Sequence, residues 1–212
     1  HHYIFREMPH WSDMFITLKN YRSEIVEAFW DELSDKVQQH VQRHTAPFIS
    51  VHIRMGDFRV LKPGENFANV GLVRTPLDYF VQTIESIRQG LGFEAPVTVF
   101  SDGTNAELES ILILPGVSRA ADDLDIVHLT MLSKSKIIVM SAGSSFSYWA
   151  GFLSEAVLIK HFQHLHEPIR DAQLNARMYE GPLPPGTSIA ACPLLQQNLH
   201  QLKAHNNAIQ HV

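Results

Sequence analysis

Beyond Pro47 the chain alternates short apolar runs with amphipathic segments, and that alternation leaves few folds open to it. Phe48 to Arg54 reads as a strand, Val97 to Phe100 as a second and Ile137 to Met140 as a third. Helical patterns lie between them. Thr75-Pro76-Leu77-Asp78 opens one, with Thr75 as N-cap, Pro76 at the first helical position and Asp78 as the capping-box acid, and it runs to about Gly90. Thr104 and Glu107 make a second capping pair before Leu108 to Leu112. A third helix, from about Asp123 to Lys134, places Ile126, Leu129 and Leu132 on one face. Strands alternating with helices at this spacing imply an α/β fold: a Rossmann-like parallel sheet with helices on both faces.

Helices precede the sheet. From Trp11 to about Val41, Ile16, Leu18, Ile25, Val26, Phe29, Trp30, Leu33 and Val37 recur at helical spacing, as one long or two shorter helices. The expected organisation is a helical lead-in over 1–46, a Rossmann-like domain over 47–165, and a C-terminal loop and helix over 166–212 that pack on the same domain. In that last part Pro182 to Gly186 is a loop and Leu194 to Ile209 a terminal helix.

Composition narrows the function. At 212 residues, 45% hydrophobic and 18% charged, the chain holds enough apolar material for one sizeable core. A formal charge of -5 without any run of Lys and Arg argues against a nucleic-acid partner. The single cysteine, Cys192, excludes an internal disulfide framework and fits a reducing compartment. No apolar stretch approaches the length of a membrane span. The chain opens on His1-His2 without an initiator Met, so its lack of a targeting signal is uninformative.

In parallel sheets of this kind, ligands bind outside the carboxyl ends of the strands. Three polar clusters fall there: His52 to Asp57, Ser101 to Gly103 and Ser141 to Ser145. The first, His52-Ile-Arg54-Met-Gly56-Asp57, has the composition of an anion site. An arginine fork matches phosphate oxygens two at a time, and a glycine lets a ligand approach the backbone. A strand end with a surface Arg-Asp pair is the plainer account. The third cluster runs from an apolar strand through Ser141-Ala-Gly-Ser144-Ser145 into a buried helix from Phe146 to Leu153. Unpaired N–H groups and the positive end of the helix dipole bind phosphate there, with a hydroxyl from Ser144 or Ser145. Alternatively one serine merely caps the helix. No Gly-Lys-Ser/Thr closes the loop and no Gly-x-Gly-x-x-Gly follows the first strand, so a diphosphate held here points to a nucleotide-sugar enzyme. His40 and His44 lie at zinc-compatible spacing, as do His161, His164 and His166 more loosely. Neither group has the further ligands a zinc site needs, and surface histidine clusters are the expectation.

The clusters also carry a resemblance. His52-Ile-Arg54-Met-Gly56-Asp57, then Phe100-Ser101-Asp102, then Asp125 to Lys136 with Ser144-Ser145-Phe146-Ser147-Tyr148-Trp149-Ala150, resembles the alpha-1,2-fucosyltransferases and the superfamily that includes alpha-1,6- and protein O-fucosyltransferases. The likeness spans about residues 45 to 160. It implies the donor-binding half of a two-Rossmann, GT-B-type glycosyltransferase that binds GDP-fucose without a metal or other cofactor and transfers fucose, with inversion, to a glycan hydroxyl. Arg54 and His52 would grip the diphosphate together with Ser144 and Ser145, and Asp123 or Asp125 would read the guanine edge, the alternative for Asp125 being that it only caps its helix. The implied donor contacts are Arg54, His52, Gly56, Ser101, Asp102, Asp125, Ser144, Ser145 and Phe146. The catalytic groups are then Arg54, His52 and Asp57; the local candidates for general base are Asp57 and Glu65, with orientation of Arg54 as the alternative role of Asp57. Many members have a second Arg where this chain has Met55, and an N-terminal Rossmann half carrying much of the acceptor site is expected outside this sequence. Other readings are a non-catalytic GDP-sugar-binding module and an inverting glycosyltransferase with a different nucleotide sugar. A cytoplasmic location, in solution or peripheral to the membrane, goes with the resemblance and the lone cysteine.

Overall fold

The computed structural model of the chain describes residues 14–163 and 167–210. Three helical segments come first: α1 (Met14–Leu18), running through a short 3-10 turn into α2 (Arg22–Asp31), and α3 (Asp35–Gln42). The periodic stretch is thus broken more often than its spacing predicts. The second break follows from Ser34, whose hydroxyl accepts from the Val37 N–H at 3.5 Å and starts α3 as a separate helix. The expected helix start at Trp11 lies outside the described residues.

The remaining elements are β1 (Ile49–Ile53), α4 (Leu77–Leu91), β2 (Val97–Ser101), α5 (Glu109–Leu112), β3 (Val117–Arg119), α6 (Asp125–Ser133), β4 (Ile137–Val139), α7 (Ser145–Leu153), β5 (Val157–Lys160), α8 (Ala172–Asn175), β6 (Glu180–Pro182) and α9 (Pro193–Gln210). The strands form one six-stranded sheet in the order β3-β2-β1-β4-β5-β6, every pairing parallel. This is the order of a doubly wound Rossmann-like sheet, whose direction of winding reverses between β1 and β4. Ile49 pairs with Val97 on one side and Ile137 on the other, so the ends of β1, β2 and β4 are brought level at that reversal.

Side-chain alternation sorts the two cores. Ile49, Val51 and Ile53 join Phe80, Ile84 and Ile87 of α4 and Leu195 and Leu199 of α9. On the opposite face Phe100, Ile138 and Leu158 pack against Val127 and Leu132 of α6, Phe152 of α7 and Val37 and Val41 of α3. Ser50 and His52 therefore project towards the α6 and α7 side, where Ser50 Oγ lies 2.5 Å from Ser135 Oγ. The terminal helix buries one stripe, Leu195, Asn198 and Leu199, despite its Gln, Asn and His content.

Two local expectations are corrected. Thr75 does not cap α4: the N-cap is Pro76, and the buried Thr75 hydroxyl accepts instead from the Ala142 N–H at 3.0 Å, across to the loop after β4. Strands β3, β5 and β6 are additional to those read from the sequence. By contrast the Thr104 and Glu107 capping pair forms: Glu107 accepts from the Thr104 N–H at 2.8 Å, and the Glu107 N–H donates to Thr104 Oγ1 at 3.3 Å. The Thr104 N–H first, then Arg74 and the Thr104 hydroxyl, pull the Glu107 carboxyl down to about 2.

Candidate functional site

The reversal between β1 and β4 is where the predicted clusters meet. As β1 ends, the Arg54 N–H donates to Ser141 Oγ at 2.9 Å, tying the first cluster to the loop after β4. His52 Nδ1 lies 2.6 Å from Ser147 Oγ in the first turn of α7, and its ring lies 5.1 Å from that of Phe146. Burial, offset in part by Asp102 and reinforced by Arg54 and His128, pushes the imidazole down to about 4, so it is neutral at physiological pH.

Arg54 is clamped by two carboxylates. Asp102, just past β2, accepts from Arg54 Nη1 and from the Met55 N–H at 2.7 Å, while Asp57 Oδ1 accepts from Arg54 Nε at 3.0 Å. Burial alone would raise the Asp102 carboxyl, but the N–H groups of Met55 and Gly56 together with Arg54 outweigh it and hold it low. Gly56 is required by this packing: a Cβ there would overlap Asp102 Oδ2 and come within 3.3 Å of its Cγ. From below, Arg74 donates to the Met55 and Phe58 carbonyls at 3.2 and 2.8 Å and pairs with Glu107 at 2.7 Å, which fixes the turn. Ser101 spends its hydroxyl proton on the Ile53 carbonyl at 2.6 Å.

The loop after β4 is held from within. The Ser141, Ala142 and Gly143 N–H groups donate to Ser147 Oγ, Thr75 Oγ1 and the Tyr148 hydroxyl at 3.2, 3.0 and 2.8 Å. Ser144 is the N-cap of α7 but makes no side-chain cap bond. The first-turn N–H groups of Ser145, Phe146 and Ser147 have no acceptor among the described residues. The N–H groups left open in this segment therefore lie at the start of α7 rather than in the loop.

A cleft of about 390 Å³ opens above these groups, lined by His52, Arg54, Phe100, Ser101, Asp102, Arg119, Asp122, Asp123, Asp125, His128 and Phe146. An adjoining hollow of about 210 Å³ shares Phe100, Arg119, Asp123 and His128 and adds apolar walls from Pro47, Val127 and Met131. Of the residues expected to contact a donor, His52, Arg54, Ser101, Asp102, Asp125 and Phe146 line the cleft. Gly56 packs behind Asp102, Ser144 is buried, and Ser145 is exposed at the start of α7. Asp57 is an exposed carboxylate beside Arg54. Glu65 is taken up instead by Arg59, whose Nη1 and Nη2 reach its oxygens at 2.6 and 2.9 Å.

Residues 1–172 match the model of glycosyl transferase family 11. The chain belongs to this family, that of the alpha-1,2-fucosyltransferases. No functionally curated protein matches it. Among solved structures it is similar to the UDP-GlcNAc 2-epimerase of Methanocaldococcus jannaschii, solved with UDP-GlcNAc and UDP, at 8% identity and a TM-score of 0.45. That likeness covers 89% of this chain and 46% of the epimerase chain, so the chain spans about half the length of that structure.

Several residues of this family 11 chain that matter to the cleft were not singled out from the sequence. Arg119 closes the short strand β3, donates to the Ser101 carbonyl at 3.2 Å and to Asn105 Oδ1 at 2.8 Å, and lines both hollows. His128 and Asp122 join it. Ser147 stands inside the serine motif, yet its role is visible only once His52 is placed beside it. His40 of α3 and His44 just beyond its end gather around an acid: His40 Nδ1 and His44 Nε2 lie 3.3 and 3.8 Å from Asp123 Oδ2, and Asp123 Oδ1 accepts from the Leu124 N–H at 2.7 Å. Among the described residues no group of three or more His, Cys, Asp and Glu side chains is arranged to hold a metal. His161 is buried against the rings of Phe67, Tyr79 and Phe162, while His164 and His166 lie outside the described residues. No described helix is long and apolar enough to cross a membrane.

Proposed function

We propose that this family 11 glycosyltransferase chain binds GDP-fucose and transfers fucose to a glycan hydroxyl with inversion, without a metal. The observation that carries the reading is the convergence, in one cleft, of the Arg54 guanidinium and the open first turn of α7, held together by the Arg54 to Ser141 bond. The diphosphate lies between the two, where an arginine fork and aligned backbone N–H groups meet its charge. Asp57, being exposed, gives way to the phosphate as Arg54 turns to it, while Asp102 keeps the arginine in place.

The purine occupies the part of the cleft around Asp125 and the apolar hollow beyond it. Both oxygens of Asp123 already have donors, whereas the exposed Asp125 carboxylate has none among the described residues. Guanine offers an N–H and an amino group side by side, which a carboxylate accepts as a pair; uracil offers a single N–H. Asp125 is thus the residue that favours GDP over UDP.

In the reaction an acceptor hydroxyl attacks the anomeric carbon from the side opposite GDP. The C–O bond to the β-phosphate breaks through an oxocarbenium-like transition state, and the charge passing to the leaving oxygen is stabilised by Arg54, the α7 N-terminus and the neutral His52. The acceptor proton goes to Asp57, whose Oδ2 has no partner among the described residues, while Glu65 is neutralised by Arg59. A further domain of the same polypeptide is the expected source of other acceptor contacts.

The test is thermal unfolding with GDP, GDP-fucose, GDP-mannose and UDP. At a hundred times its dissociation constant a ligand stabilises the fold by about 2.7 kcal/mol. The reading expects a shift with GDP and GDP-fucose and none with UDP, and expects Arg54→Ala to lose both that shift and transfer. Stabilisation by UDP alone, or near-normal turnover in R54A, overturns it.

A further inference from the structure

Ser147 is fully buried on the first turn of α7, and its hydroxyl touches two partners. The Ser141 N–H donates to Ser147 Oγ at 3.2 Å, and His52 Nδ1 lies 2.6 Å from the same oxygen. The first of these bonds uses an oxygen lone pair. The hydroxyl hydrogen has no acceptor among the described residues except His52 Nδ1, so that nitrogen is the acceptor and carries no proton.

We propose that Ser147 is a positioning residue that locks His52 as its neutral Nε2–H tautomer, so that the imidazole always presents an N–H, and never a lone pair, to an anion in the cleft. The choice of an anion as ligand rests on the function proposed above, whereas the tautomer itself does not. His52 lines the cleft, and its Nε2 has no partner among the described residues. The groups facing the ring are Arg54 on its own strand end, Asp102 beyond β2, His128 of α6, and Ser147 and Phe146 of α7. The packing elements thus supply one carboxylate, and that carboxylate is already claimed by Arg54 and Met55. A second proton on the ring would remove the acceptor that Ser147 donates to, and burial opposes it as well. The arrangement gives a donor of fixed direction whose state does not change across physiological pH. A lone pair in its place would repel phosphate oxygen.

Long-range nitrogen–proton correlation spectra of the full chain, labelled with ¹⁵N-histidine, read this directly, with His52→Gln identifying the resonance by its loss. The expected result is a protonated Nε2 and a hydrogen-bonded, unprotonated Nδ1 that do not titrate between pH 5.5 and 8, with Nε2 shifting on addition of GDP. In Ser147→Ala the Nδ1 signal moves to that of an unbonded nitrogen, the second tautomer appears, and the GDP dissociation constant rises about tenfold, the loss of roughly one charge-assisted hydrogen bond. A protonated Nδ1 in the wild type overturns the assignment whether or not the variant folds, as does a His52 signal unchanged in S147A. A wild type that holds the Nε2–H tautomer but binds no GDP supports the lock and removes the donor reading instead.

Discussion

Gly56→Ala tests whether the arginine clamp depends on a close approach between two loops. The added Cβ overlaps Asp102 Oδ2 and lies 3.3 Å from its Cγ. Gly56 is not in the left-handed region, so backbone strain does not enter. Asp102 must therefore yield, and in turning it gives up the Met55 N–H and Arg54 together. A hydrogen bond to a charged group contributes about 1.5–3 kcal/mol, and with the Asp102 side chain 32% exposed, water replaces part of it. The expected loss is about 1–2 kcal/mol, a fall in melting temperature of roughly 2–8 °C for a chain of this size. The larger effect is on ligand: Arg54 loses its fixed geometry, and the GDP-induced melting shift collapses. Gly71→Ala is the control, since a Cβ there meets nothing within 4 Å and the backbone is not left-handed. Differential scanning fluorimetry with and without GDP reads all three proteins. A G56A chain that melts with the wild type and keeps its GDP response refutes the reasoning, because Asp102 would then not be what holds Arg54.

Three further outcomes are expected. Because the folded His52 titrates near 4, below the ordinary 6.5 of an unfolded histidine, the unfolded state binds the extra proton between those values. Its contribution to stability is therefore complete above pH 6.5 and is lost as pH falls towards 4, by roughly 3 kcal/mol. Denaturant unfolding of wild type and His52→Gln over that window should give curves that converge in acid; parallel curves refute the assignment. Asp125→Asn should reduce the preference for GDP over inosine diphosphate, which lacks the amino group, by about tenfold or more in competition binding. Transfer from GDP-fucose should survive exhaustive chelation, whereas loss restored by a divalent ion contradicts the metal-free mechanism.

The legibility of this fold in its sequence follows burial. Strands β1, β2 and β4 are rich in apolar, β-branched residues because both faces of the sheet are covered, with β4 wholly apolar and β1 and β2 interrupted only by Ser, Thr and His, and they stand out on their own. Strand β5 does not, since Val157–Lys160 follows the apolar helix α7 after only Ser154, Glu155 and Ala156, and the two merge into one hydrophobic stretch. Strand β6 is less visible still: it is Glu-Gly-Pro, and it belongs to the sheet because Glu180 is buried between Lys160 at 3.0 Å and Arg170 at 3.5 Å. No local pattern announces a carboxylate whose partners lie so far along the chain. The site divides similarly. Arg54, His52 and Asp102 are legible as clusters at strand ends, whereas Arg119 rests on a three-residue strand, and the tie of Thr75 to Ala142 joins residues 67 apart in the chain.

The same division separates scaffold from ligand contact in the loop after β4, and Tyr148→Phe tests it. The Tyr148 hydroxyl accepts from the Gly143 N–H at 2.8 Å, where Gly143 holds a left-handed φ of 68° that suits glycine. Removing the oxygen strands a half-buried N–H, at a cost of about 1–3 kcal/mol. Were the loop itself the anion site, that freed N–H would add a donor, and Y148F would bind GDP more tightly. Where the site is the first turn of α7, the N–H groups of Ser145, Phe146 and Ser147 are untouched, and Y148F melts lower with its GDP affinity almost unchanged. Calorimetric titration beside a melting curve distinguishes the two, and tighter binding in the variant would move the anion from the helix to the loop.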